Sequence, residues 1–491
     1  MNAISRILEW PRNAEENFAP ALWDAVELAR AMHGTAIGDF AVSGVEIDSR
    51  DVTEGDLFFA LKGETMDGHR FAEGALAKGA AAVVADRELA GPHLRVTDTT
   101  EALIALGKAA RGRTRAKIIG VTGSVGKTGV KEAIFSALDR SSRGAAHRSV
   151  KSYNNHVGVP LSLARMPARS KFGIFEMGMN HAGEITALTS QVRPDVAVIT
   201  TIAPAHIEML GSEAAIADAK AEIFQGLEAA NGQKGGIAII PADSLHYPRL
   251  KEAAERHAGA VVSFGRAPHA DVRLLDAVAA HNGGSLVTVD LGDRRMCYTV
   301  AAPGEHWVIN SLAVMAAVRA VGGDLGAAGL ALAEMEGLKG RGARTEITTS
   351  DGGTALLIDE SYNANPTSMR ATLAQLGATP AKRRIAVLGA MKELGTHGPA
   401  FHAALAEPIR AAGIDRLVLV GDEMRALGEE LGKSAPVALG KQLAFAHCGN
   451  AKDAQQALLA IGLESGDAIL VKGSNSVGLG ALVTALAGKE G

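Results

Sequence analysis

Cysteine is nearly missing from this chain: 491 residues hold two, Cys297 and Cys448. They stand far apart and in no metal-ligand spacing, which excludes a disulfide scaffold and a cysteine-built zinc site; a reduced, cytoplasmic protein is expected. Blocks of one charge sign are missing too. The net charge is -4 with both signs interspersed, so neither nucleic acid nor an anionic membrane is expected as the main partner. No apolar run reaches ~18 residues, and MNAISRILEWPRNAEENFAP at the start has no apolar core of a secretory signal, so neither a membrane span nor export is expected. Aromatics make up only 4%. What remains is 47% apolar, 21% charged and rich in glycine, with 57 residues of it. That is the balance of a soluble α/β protein with enough material for several cores.

The length predicts about three domains at roughly 150 residues each. A first block, 1–112, holds DSRDVTEGDLFFALKGETMDGHRF and the strand-like AAVVAD, and leaves through the basic RGRTRAK. A second, 113–344, alternates strand-like runs (IIGVTG, GIFEMGM, DVAVITTI, GGIAII) with helical stretches and ends in GLKGRGAR. Such alternation predicts a mostly parallel sheet covered by helices. A third, 345–491, repeats the alternation through ALLID, RRIAVLGA, RLVLVG and AILVKGS, which predicts a Rossmann-like sheet. It lacks the G-x-G-x-x-G spacing of a dinucleotide site, as VLGAMKELG shows.

KIIGVTGSVGKTGVKEAIFSAL carries the first chemistry. Val121 occupies the first glycine position of the full phosphate-loop pattern, and T-G-S-V-G-K-T stands in its place. The physics is intact: Thr122, Gly123, Ser124 and Gly126 form a turn that can bring backbone N–H groups to an anion at a helix N-terminus. Lys127 would reach the phosphates and Thr128 would hold Mg²⁺. A β-rich run before it, and Val130, Ile134, Phe135 and Leu138 at helical spacing after it, supply the required context.

The neighbouring segments are similar to those of one family, the Mur ligases, over nearly the whole length. TGSVGKT resembles that family's shortened phosphate loop. YNNHVGVPLSL, with Asn154 and Asn155, resembles its N-N-x-x-G-x-P segment, and FEMGMNHAGEI its strand and turn around Glu176. AHIEMLGS (His206) and AKAEIF (Lys220) follow, then PGEHWVIN with His306 and Asn310. IDESYNANPTSM, with Glu360, Asn363 and Asn365, is the most specific match. LGAMKELG and LVKGSNSVGL, the latter with Lys472 and Ser474, fit the same branch.

The resemblance implies three domains and an ATP-dependent amide ligase of cell-wall precursor synthesis in the cytoplasm; three domains with a balanced surface are consistent with a monomer. Its implied substrates are UDP-N-acetylmuramoyl-tripeptide and D-alanyl-D-alanine, joined through an acyl phosphate. It implies Mg²⁺, as two ions, on Thr128, Glu176, His206 and Lys220, the lysine carried as a CO₂-derived carbamate fourteen residues after His206. His306, Asn310, Arg341 and Glu360 are implied to hold the nucleotide; Asn363, Asn365, Lys472 and Ser474 the dipeptide end; and Ser49, Arg50, Lys62, Asp67, Gly68 and His69 the UDP-sugar. Four positions depart from the family pattern: Trp307 for Asn, Glu360 for Asp, Pro241 for Asn and Asn475 for Arg. The alternatives are a sister ligase adding one amino acid, a folylpolyglutamate synthase-like enzyme, and a nucleotide-hydrolysing switch. The first two conflict with YNANPTSM, and the third leaves Glu176, His206 and Lys220 without a use.

Overall fold

The computed structural model describes residues 21–63, 66–205, 207–229, 232–280, 284–433 and 443–488. It divides into two compact units, one running to Arg115 and taking in Pro160–Arg169, the other comprising Ala116–Val159 and everything from Ser170 onward.

In the first unit five short strands form a sheet in the order Thr35–Ile37, His93–Arg95, Ala82–Ala85, Asp56–Phe59, Gly44–Glu46. The last four pair in parallel. Leu57, Phe58, Phe59 and Val83 are fully buried, so these strands read as continuous apolar runs, as strands covered on both faces must. The helices start on acidic caps. Asp24 and Glu27 close a capping box on Ala25–Met32, and Asp98 accepts from two amides of Thr99–Arg113. The excursion Pro160–Arg169 is tied in by residues far away in sequence: Trp23 Nε1 donates to the Ala164 carbonyl at 2.9 Å and Arg165 Nε to that of Val45 at 2.6 Å. The sequence places this segment inside its second block; only those long-range bonds reveal where it packs.

The second unit contains two sheets. In the larger, the order is Arg295–Val300, Ser285–Asp290, Val272–Ala279, Ala258–Gly265, Gly235–Pro241, Val196–Ile199, Lys117–Thr122, Phe172–Glu176, Ala146–Arg148. From Ala146–Arg148 to Val272–Ala279 neighbours run parallel; the remaining pairs are antiparallel. The parallel part matches the expectation. The antiparallel extension is a finding the alternation of strands and helices does not foretell, because those strands bury one face only and carry polar residues on the other. Helix Lys127–Ser142 and helix Glu305–Ala320 pack on this sheet through Val130, Ile134, Leu138, Leu312 and Met315, all fully buried. The second sheet runs Ala343–Thr348, Thr354–Glu360, Asp467–Lys472, Arg383–Gly389, Arg416–Val420, Ala444–Cys448. It is parallel apart from its antiparallel first edge, in line with the Rossmann-like reading. Among the described residues no helix is long and apolar enough to cross a membrane.

Candidate active site

After Lys117–Thr122 the chain adds strands on one side of it, then returns to add Val196–Ile199 on the other. A crevice opens beyond the carboxyl ends of strands at such a reversal. The loop 123–126 lies there, and two glycines make it possible. Gly123 has φ 148°, and a Cβ on it would sit 1.9 Å from Thr200 Oγ1. Gly126 has φ 88° and opens helix Lys127–Ser142 with no side chain capping the helix amides, so the unpaired donors of the first turn are left for an anion. Ser124 pins the loop, its amide donating to the Thr201 carbonyl at 2.8 Å and its Oγ to that of Ala203 at 2.9 Å. Beneath the loop, Thr122 Oγ1 is buried without a hydrogen-bond partner.

Lys127 Nζ donates to the Gly123 carbonyl at 2.7 Å. Thr128 Oγ1 donates to Glu176 Oε2 at 2.9 Å, and Asn154 Nδ2 to Glu176 Oε1 at 2.8 Å. Glu176, the last residue of its strand, is 1% exposed. Lys220, on helix Glu213–Ala221, is 2% exposed. Burial, with the charge of Lys127 added, pushes its pKa well below the usual lysine value. No acceptor among the described residues pairs with its ammonium. Burial also lowers the pKa of Lys127, opposed by Glu176 and aided by Arg341.

The second sheet supplies the facing wall. Glu360 and Lys472 end neighbouring parallel strands in register. Lys472 Nζ lies 3.2 Å from Glu360 Oε2 and donates to the Asn363 carbonyl at 3.0 Å. The Arg341 guanidinium stacks 4.2 Å over the Tyr362 ring and donates to Ser152 Oγ at 3.4 Å. Helix Glu305–Ala320 brings His306, Trp307 and Asn310 to the loop: a Cβ on Gly126 would lie 3.0 Å from Asn310 Nδ2, and one on Gly129 2.5 Å from Trp307 Cη2. Burial lowers the pKa of His306, with Glu360 opposing and Lys472 adding to it, so this imidazole stays neutral near pH 7.

The expected residues therefore separate into groups. One cavity is lined by Ser124, Gly126, Lys127, Asn154, Glu176 and Lys220, and equally by His306, Asn310, Arg341, Glu360, Asn363, Asn365 and Lys472. Thr122, Gly123 and Thr128 support it from below. Trp307, Tyr362 and Asn180 also line it; they lie within the motif segments but were not among the residues expected to form the site. Asn155 turns away, its Oδ1 accepting from the Gly158 amide at 2.9 Å. Ser474 Oγ accepts from the Lys392 amide at 2.9 Å and anchors the LGAMKELG loop instead. His206 lies outside the described residues.

The remaining expected residues belong to the first unit. There Arg50 is spent on Asp48, at 2.6 Å. The Ser49 carbonyl accepts from Lys78 Nζ at 2.9 Å, and Lys62 pairs with Asp67 across an isolated bridge. His69 Nδ1 lies 2.5 Å from Asp67 Oδ1, and its Nε2 accepts from the Asp86 amide at 3.2 Å. Gly68 fits because any Cβ would meet the Leu61 backbone at 2.6 Å. These six thus form local structure of their own.

Asn365 has a structural duty as well: it caps helix Pro366–Ala378, its side chain accepting from the Ser368 amide at 2.8 Å within a capping box. We expect Asn365→Ala to cost about 1 kcal/mol of stability, read as a lower urea midpoint in circular dichroism. An unchanged midpoint would show the cap to be dispensable.

A bare phosphate loop at a sheet reversal, faced by cations and a buried carboxylate, defines an α/β enzyme that handles nucleotide phosphates. The comparisons with known proteins sharpen this. Residues 41–124 match the Mur ligase family catalytic domain, 121–318 the Mur ligase middle domain and 343–475 the Mur ligase glutamate ligase domain. A UDP-N-acetylmuramoyl-tripeptide–D-alanyl-D-alanine ligase from Synechocystis is 36% identical, over 91% of this chain and 92% of its own length. A MurF crystal structure from Acinetobacter baumannii superposes with a TM-score of 0.79 at 29% identity, covering 95% of this chain and 99% of that one. The MurF ligase of Thermotoga maritima in complex with ADP gives 0.71 at 25% identity, covering 91% and 97%. The chain belongs to the Mur ligase family. It is an ATP-dependent ligase that forms a peptide bond.

Proposed function

We propose that this chain joins the tripeptide carboxylate of UDP-N-acetylmuramoyl-tripeptide to the amine of D-alanyl-D-alanine, in the precursor synthesis of peptidoglycan. The observation that carries the reading is one cleft with two ends. Lys127, Glu176, Lys220 and the bare helix N-terminus form a phosphate end, and Lys472 with Asn363 from the YNANPTSM segment forms the other.

The chemistry needs both. A carboxylate oxygen attacks the γ-phosphorus of ATP and ADP leaves. The dipeptide amine then attacks the acyl carbon of the acyl phosphate, loses a proton, and phosphate departs. Lys127 and the loop amides meet the charge that develops on the phosphoryl oxygens, where fixed donors act most strongly. Arg341, His306, Asn310 and Glu360 hold the nucleoside, with neutral His306 serving as a hydrogen-bonding partner. Asn363 and Lys472 orient the acyl acceptor. Mg²⁺ fits the hard oxygens that Thr128 and Glu176 place side by side, and when bound it neutralises phosphate charge. His206 would complete such a set, with Lys220 as a carbamate.

In this reading 113–344 carries ATP, 345–491 the dipeptide end and 1–112 the UDP-sugar. Dependence on ATP and the near absence of cysteine suit the cytoplasm.

The test is phosphate release with ATP, Mg²⁺, the UDP-linked tripeptide and D-alanyl-D-alanine, each omitted in turn. Release that needs all four, with a ligated product by mass spectrometry, is the expected result. Release without either peptide substrate would identify a nucleotide hydrolase instead. Release with a single amino acid in place of the dipeptide would identify a sister ligase.

A further inference from the structure

Lys131 stands one turn beyond Lys127 on the same helix, outside the cavity lining, and its side chain is wholly buried. An ammonium withdrawn from water must be paired and hydrogen-bonded. Its Nζ donates to the Ser149 carbonyl at 2.7 Å and the Lys151 carbonyl at 3.3 Å, and lies 2.9 Å from Glu132 Oε1. Glu132 in turn pairs through Oε2 with Arg148 Nε at 2.7 Å, and the Arg148 guanidinium stacks 3.8 Å over the Phe135 ring. All these bonds converge on 148–151, the stretch that leaves edge strand Ala146–Arg148.

That stretch is strained and leads directly to the site. Lys151 has φ 51°, a left-handed conformation that side chains other than glycine avoid. Three residues on, Asn154 Nδ2 donates to Glu176 Oε1 at 2.8 Å and the Asn154 carbonyl accepts from the Gly178 amide at 2.8 Å. At the other end Ser149 Oγ accepts from the Glu176 amide at 3.2 Å. Glu176 is thus gripped at its backbone and at its carboxylate by one segment, and Lys131 binds two carbonyls of that segment.

We propose that Lys131 is a positioning residue for the phosphate site: its buried ammonium holds the left-handed bend at Lys151, and through Asn154 and Ser149 it aims the Glu176 carboxylate. The inference rests on the reading of Glu176 as a magnesium-holding acid. Groups that orient such a carboxylate typically contribute 10–100-fold to metal affinity or turnover.

The test starts from Lys131→Met, which keeps the stem and removes the three bonds. Binding of ADP in the presence of Mg²⁺, measured by calorimetry, should weaken about 10-fold, and the Mg²⁺ needed for half-maximal ligation should rise similarly, with the KM for dipeptide unmoved. Asn154→Ala should produce the same loss, and the double variant should be no worse than the poorer single, because both act through one path. Lys151→Gly, which accepts the bend freely, should bind ADP normally, while Lys151→Val, which cannot adopt it, should reproduce the loss. Unaltered Mg²⁺-dependent binding in Lys131→Met, or losses that multiply in the double variant, would overturn the proposal. Should Lys131→Met fail to fold, the exposed Lys151→Val decides: weakened binding supports the proposal, wild-type binding refutes it. A wild-type protein that binds ADP but ligates nothing would overturn the functional reading alone, since the calorimetric comparison stands without it.

Discussion

Replacing Lys127 with methionine should lower kcat/KM for ligation by about 10³-fold, close to 4 kcal/mol of transition-state stabilisation, and should leave the melting temperature unchanged or raised. The two halves of this expectation have separate physical causes. Lys127 Nζ reaches back to the Gly123 carbonyl at 2.7 Å, which parks the ammonium over the loop where phosphoryl oxygens would arrive. Charge accumulates on those oxygens during transfer, so kcat should fall more than the KM for ATP rises. In the protein itself the ammonium is a burden. Burial depresses its pKa, and its charge adds to the depression at Lys220. Methionine keeps the stem and removes the repulsion. Steady-state kinetics beside a thermal melt separate the two effects. Unchanged kcat/KM would remove Lys127 from the chemistry, and a large fall in melting temperature would make it a structural residue.

The phosphate loop was legible because its requirements are local: a buried strand, glycines where the turn takes positive φ, and a helix whose apolar face recurs every three or four residues. Both parallel sheets were legible for a similar reason, since strands covered on both faces are continuous apolar runs. Features set by distant partners were not. Nothing in VPLSLARMPAR shows that Ala164 will accept from Trp23, 141 positions away. The antiparallel strands from Val272 to Val300 bury one face only, so they are not the continuous apolar runs that marked the parallel strands. At the site, residue types were readable but duties were not. Asn155, Asn365 and Ser474 stand in motif positions, yet each has a structural hydrogen-bonding duty, at a turn, at a helix start or on the distant Lys392 loop. Lys131 was the opposite case. In the sequence it is a helix lysine like any other, and only its burial against two backbone carbonyls sets it apart.

Lys220 carries the other large effect. Its side chain is buried, it forms no ion pair with a carboxylate among the described residues, and Lys127 is its charged neighbour. An uncompensated buried ammonium costs several kcal/mol, which favours the neutral amine. On the carbamate reading proposed above, CO₂ adds to the neutral amine: the N–C bond forms, a proton leaves, and an anion replaces the amine. That anion would complement Lys127 and would bring hard oxygens to the cavity that Glu176 also lines, which a neutral amine does not. Lys220→Ala should therefore lower kcat by about 10²–10³-fold. Protein equilibrated with ¹³C-bicarbonate should show a carbamate resonance that is lost in the same variant, and degassed wild-type enzyme should regain turnover when bicarbonate is returned. A fall in kcat with no resonance and no bicarbonate dependence would leave Lys220 acting as a neutral amine. Full turnover in Lys220→Ala would show that its burial serves the fold alone.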